Sequence, residues 1–101
     1  MGEARPVRLR YTPEAANEIE RILDGISKKS PSGGRRVLAR LQAATDRLLD
    51  QPRSGPPTDL RPMRRTLARP YLIFYTLTED EVVVVGVRQG ARDPATMPDA
   101  P

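Results

Sequence analysis

The stretch Tyr71–Pro94, YLIFYTLTEDEVVVVGVRQGARDP, decides how this chain folds. Two runs rich in β-branched and aromatic residues flank the short acidic segment Thr78–Glu81, the pattern of a β-hairpin with a four-residue turn. Side chains alternate between the two faces of a strand. The first run therefore sets Leu72, Phe74 and Thr76 on one face and Tyr71, Ile73, Tyr75 and Leu77 on the other. The second sets Val83, Val85 and Val87 against Val82, Val84 and Gly86, and neither side is polar before Arg88. Small antiparallel sheets usually leave one face to water, so a hairpin apolar on both faces needs two covers.

The first cover lies upstream. Thr12 can cap a helix, Pro13 suits its first position and Glu14 its positive end, while Ala15, Ile19, Ile22, Leu23 and Ile26 repeat at helical spacing. Ser30 and Pro31 repeat the start signal, with Gly33 and Gly34 weakening the first turn. Val37, Leu38, Leu41, Ala44, Thr45, Leu48 and Leu49 then trace one face until Pro52 stops the helix. So short a link makes the pair an antiparallel helical hairpin. Before it, Val7, Leu9 and Tyr11 alternate with Arg8 and Arg10 as a half-buried strand. After it comes the Pro/Gly-rich loop Pro52–Pro62, then a strand over Met63–Ala68. The expected fold is α+β in the order β-α-α-β-β-β, an antiparallel sheet packed on a two-helix hairpin. Residues 1–94 form one domain, and the proline-rich tail 95–101 is expected to be disordered.

Two helices cover one face. The second apolar face, rimmed by arginine, reads either as a protein-binding surface or as a face that sheet twist, the long loop or the tail closes from within.

Composition narrows the chemistry. The chain has 101 residues, a net charge of +4, no histidine and no cysteine, and 15 of its 17 basic residues are arginine. Absent histidine and cysteine remove the usual metal ligands and the neutral-pH proton shuttle, so neither a metal nor a cofactor is expected. No apolar run approaches the roughly 20 residues that cross a bilayer, and the charged N-terminus lacks the apolar core of a secretory signal; the expected location is the cytoplasm. Arginine suits carboxylates and phosphates, so an acidic protein or nucleic acid fits as a partner. No phosphate-loop, metal cluster or nucleophile elbow is present, and no catalytic residue is assigned.

The segments RYTPEAANEIERILDGI, PRSG, RPYLIFYTL and VVVVGVRQGARDP, taken in order, resemble the RelE/ParE superfamily of type II toxin–antitoxin toxins, and its ParE branch most. The resemblance spans residues 7 to 94 or nearly so. It implies a growth-inhibiting toxin that acts on DNA gyrase by binding, neutralised by a ParD-like antitoxin and touching operator DNA only through that antitoxin. On this resemblance Arg65, Arg69, Arg88 and Arg92 are the expected target contacts. Tyr71, Ile73, Tyr75, Val82 and Val84 are the expected antitoxin contacts if theirs is the uncovered face. The RelE branch implies a ribosome-dependent mRNA endonuclease instead, but its C-terminal tyrosine or histidine has no counterpart after Arg88. Gyrase-directed relatives often have histidine where this chain has Gln89. A third reading is a non-toxic partner that acts only in antitoxin-bound repression.

Overall fold

The computed structural model describes residues 8–53, 55–58 and 62–90. The expected tail 95–101 and Arg92 lie outside these residues. In chain order the elements are β1 (Arg8–Tyr11), α1 (Pro13–Lys29), α2 (Pro31–Asp50), β2 (Arg64–Ala68), β3 (Tyr71–Leu77) and β4 (Glu81–Gln89).

Both helices begin as their sequences dictate. Thr12 Oγ1 accepts the Ala15 amide at 3.1 Å, and Ser30 Oγ accepts the Gly33 amide at 3.0 Å, each with proline in the first turn. One residue, Ser30, serves both helices: its amide closes α1 on the Ile26 carbonyl while its side chain caps α2. The two glycines that weaken the start of α2 have a packing role as well. A methyl on Gly34 would run into the side chain of Ser27, so the helices meet there at a distance that only glycine permits without a shift.

The sheet has the order β1-β4-β3-β2. The pairs β2–β3 and β3–β4 are antiparallel, as expected, but β1 joins β4 in parallel, so the sheet is mixed rather than wholly antiparallel. The helical hairpin covers one face. Ala15, Val37, Leu41 and Ala44 from the helices pack with Ala68, Tyr71, Ile73, Val84 and Val87 from the sheet, and Leu48 packs with Tyr75 and Val82. Leu38, expected on the buried stripe of α2, is exposed.

Strict alternation fails once, in β4. Ile73 pairs with Val87 and Phe74 with Gly86, but Tyr75 pairs with Val84, which leaves Val85 as an extra residue. The bulge moves Val87 onto the helix face beside Val84 and Val82 and puts Gly86 on the other. Without it, β4 would present Gly86 to the helices and lose a buried valine.

The second face is closed as well. Leu72, Phe74 and Val83 point away from the helices, yet they are only 6%, 0% and 5% exposed, so the chain itself takes this face out of water. An open apolar patch is therefore not what the hairpin offers. At the β2 margin of the same face Leu67 remains 36% exposed.

Candidate functional site

Cross-strand register places Tyr71, Ile73, Tyr75, Val82 and Val84 on the face covered by α1 and α2, all of them buried. The condition under which these five would meet an antitoxin, an uncovered face, is not met. Tyr75 has an internal use instead. Its hydroxyl donates to the Pro52 carbonyl at 2.8 Å and accepts the Gly55 amide at 3.1 Å, fastening the segment that leaves α2. Arg64 Nη1 donates to the Gly55 carbonyl at 2.7 Å from the neighbouring strand. A side chain at Gly55 would collide with the Arg65 carbonyl and the Tyr75 hydroxyl, so glycine is required there. Burial raises the Tyr75 pKa, which the Gly55 hydrogen bond and Arg64 partly offset. Burial likewise raises that of Tyr71, with Arg40 opposing. Both phenols are neutral hydrogen-bonding and packing groups at neutral pH.

Of the four arginines expected to touch a target, the three that lie among the described residues sit on different parts of the sheet. Arg65 pairs with Phe74 and sits half-buried on the face away from the helices. Arg69 is exposed in the two-residue turn between β2 and β3. Arg88 lies at the far end of β4, opposite Leu72. Arg92 is outside the described residues.

What the structure does assemble is a groove between α2 and the edge strand β2. Arg40, Ala43, Ala44 and Arg47 of α2 form one wall; Leu67, Ala68, Arg69 and Pro70 form the other. The open volume is ≈ 620 Å³, within the range of pockets that take a ligand or a side-chain cluster. Its lining combines the apolar residues Ala43, Ala44, Leu67, Ala68 and Pro70 with the three arginines Arg40, Arg47 and Arg69. Arg40 Nη1 donates to the Arg69 carbonyl at 3.4 Å and Arg47 Nη2 to the Leu67 carbonyl at 3.3 Å, so these side chains are draped over the backbone of the strand edge. None of the three pairs with a carboxylate among the described residues. Arg40 and Arg47 are two helical turns apart, about 10 Å along the axis. The sequence holds a signal, arginines seven apart on the exposed side of α2, but they lie off the apolar stripe and nothing in their spacing sets them apart from an ordinary solvated face.

A second polar assembly closes β4. Strand β1 runs beside β4 only as far as the Tyr11–Val84 pair, after which Thr12 turns into α1. Beyond that point Glu18 of α1 takes over the strand edge. Its Oε1 accepts the Val87 amide at 2.8 Å and its Oε2 accepts from Arg88 Nη1.

The chain's fold and sequence are similar to those of known proteins. Its fold is similar to a solved chain from a chromosomal ParDE toxin–antitoxin system of P. aeruginosa, with a TM-score of 0.70 and 18% identity over 86% of this chain and 99% of that one. A protein of Sinorhizobium fredii (strain NBRC 101917 / NGR234) that bears the name of a candidate toxin, Y4kP, is 33% identical over 81 residues, 77% of this chain and 84% of its own length. The sequence profile of the ParE toxin of type II toxin–antitoxin systems, parDE, matches residues 9–94. The chain belongs to the ParE toxin family and is a type II toxin of the ParDE kind.

Proposed function

We propose that the chain arrests growth by binding and poisoning DNA gyrase, and that a ParD-like antitoxin neutralises it by laying an acidic, amphipathic segment into the α2–β2 groove. The observation that carries the antitoxin site is the groove itself: Arg40, Arg47 and Arg69, without carboxylate partners among the described residues, surround Ala43, Ala44 and Leu67. A segment with apolar residues on one side and carboxylates on the other meets both features, and an interface of this kind discriminates by charge as well as by shape. Of the rest of the expected target set, Arg92 is outside the described residues, and Arg65 and Arg88 are borne on the opposite sheet face and at the end of β4, where acidic protein or DNA phosphate fits them. The family membership supports a toxin; binding, rather than catalysis, suits a chain without histidine or cysteine. A gyrase target places the protein in the cytoplasm. No described helix is long and apolar enough to cross a membrane.

The test is a supercoiling reaction with gyrase, ATP and the purified, antitoxin-free chain. Accumulation of linear, protein-linked DNA is expected, and antitoxin added at equal concentration should abolish it. Undisturbed supercoiling by the folded chain, together with cut mRNA in a translation reaction, would move the target to the ribosome.

A further inference from the structure

We infer that Glu18 is the positioning residue for Arg88, presenting it to the toxin's target and sealing the strand edge beside it. The inference rests on the reading above that Arg88 meets the target. Strand β4 outruns β1: the last β1 pair is Tyr11–Val84, and the Thr12 amide takes the Val84 carbonyl at 3.0 Å before the chain departs as α1. The next edge amide, that of Val87, would be left to solvent or to a foreign strand. Glu18, one and a half turns into α1, supplies the acceptor in place of a longer β1, at 2.8 Å. The same carboxylate binds Arg88 Nη1, so the two oxygens are divided between a backbone amide and a guanidinium.

Division of labour makes the geometry specific. The Glu18 side chain is 21% exposed and is fixed at Oε1 by a backbone group that cannot rotate away. Oε2 therefore has a set direction, and a guanidinium is a planar fork of N–H donors that is directional in what it donates to. Arg88 also donates Nη1 to its neighbour's carbonyl, Val87 O, at 3.4 Å. Both bonds use the same nitrogen. The side chain is 36% exposed, so its remaining N–H donors are available to a carboxylate or phosphate from outside. An arginine held in this way loses less side-chain freedom on binding than a free one.

Two variants separate the roles. Glu18→Gln keeps an oxygen for the Val87 amide but gives up the charged partner of Arg88; Glu18→Ala gives up both. Each is compared with Arg88→Ala and with the double variant Glu18→Gln/Arg88→Ala. Gyrase poisoning is measured at a temperature where circular dichroism shows each protein folded, with amide exchange at Val87 followed in parallel. Glu18→Gln should weaken poisoning about tenfold while Val87 stays protected. The double variant should be no weaker than Arg88→Ala, because a positioning residue has nothing to position once the arginine is gone. Glu18→Ala should weaken poisoning similarly and speed exchange at Val87. If Arg88→Ala poisons gyrase at full strength, the reading of Arg88 as a target contact fails. If Arg88→Ala is weak while Glu18→Gln is unaffected, or if the two losses add in the double variant, the target contact stands and the positioning role is overturned.

Discussion

Replacing Tyr75 by phenylalanine removes a single oxygen from a side chain that is 0% exposed. That oxygen donates to the Pro52 carbonyl at 2.8 Å and accepts the Gly55 amide at 3.1 Å. Each bond contributes about 1 kcal/mol net, and a buried amide left without an acceptor costs about 1–3 kcal/mol more. Gly55 is buried, so water does not readily replace the hydroxyl. The expected loss is about 3 kcal/mol, or a fall in Tm of roughly 12–24 °C for a domain of this size. Urea titration followed by circular dichroism measures it, with an unchanged slope showing that the compactness of neither state has altered. The same variant, kept where it is folded, should bind antitoxin as the parent does, because the hydroxyl faces the α2–β2 connection and not a partner. A loss below about 1 kcal/mol would refute the loop-anchor reasoning. Antitoxin binding weakened about tenfold at undiminished stability would return Tyr75 to the partner-facing role that the family resemblance implied.

Gly25 sits inside α1 where an added methyl group meets nothing within 4 Å, so Gly25→Ala should raise stability by about 0.5–1 kcal/mol, read as a higher urea midpoint. Alkaline pH should do the opposite. Burial raises Tyr71 and Tyr75 above 10.0 in the folded chain, so the unfolded chain releases these protons first, and stability present below the unfolded value drains away as pH climbs through the folded ones. Urea midpoints should hold steady up to about pH 9.5 and then fall, less steeply in Tyr75→Phe. In the groove, Arg40→Glu and Arg47→Glu should each weaken antitoxin binding about tenfold or more, measured by calorimetry at fixed salt and at a temperature where circular dichroism shows each variant folded. Unaltered affinity in both would remove the antitoxin from this groove.

Element boundaries were legible where local chemistry sets them. Thr12 and Ser30 with their prolines fixed both helix starts, Pro52 fixed an end, and β3 runs over the very residues, Tyr71–Leu77, that its apolar run marked. Long-range choices were not legible. The alternation of β1 says that it is a strand and which side is apolar, but nothing in Arg8–Tyr11 names β4 as a parallel neighbour. Four consecutive valines hide the bulge, because any register of Val82–Val85 looks equally apolar. The covered face was ambiguous for the same reason: with both sides of β3 apolar, only the direction in which the helical hairpin folds back decides that Tyr71, Ile73 and Tyr75 go inside. The site arginines divide likewise. Arg69 was within reach of a reading centred on the hairpin, whereas Arg40, Arg47 and Glu18 are surface residues of helices whose importance arises only from what the fold sets beside them.

The two arginine sites adjoin, and this bears on how an antitoxin could silence a toxin of this shape. Register aligns Leu67 with Leu72 and Leu72 with Arg88 across three neighbouring strands. Strands lie about 4.8 Å apart, so the groove residue Leu67 and the β4 arginine are separated by about 10 Å, the width of one helix. The connection is also direct: the Gly90 amide, just past β4, donates to the carbonyl of Pro70 in the groove wall at 3.3 Å. On the proposed reading, a segment seated among Arg40, Arg47 and Arg69 stands beside the end of β4 with its bulk and its negative charge. It would exclude a large target from Arg88 by occupancy alone, so neutralisation requires no rearrangement of the fold.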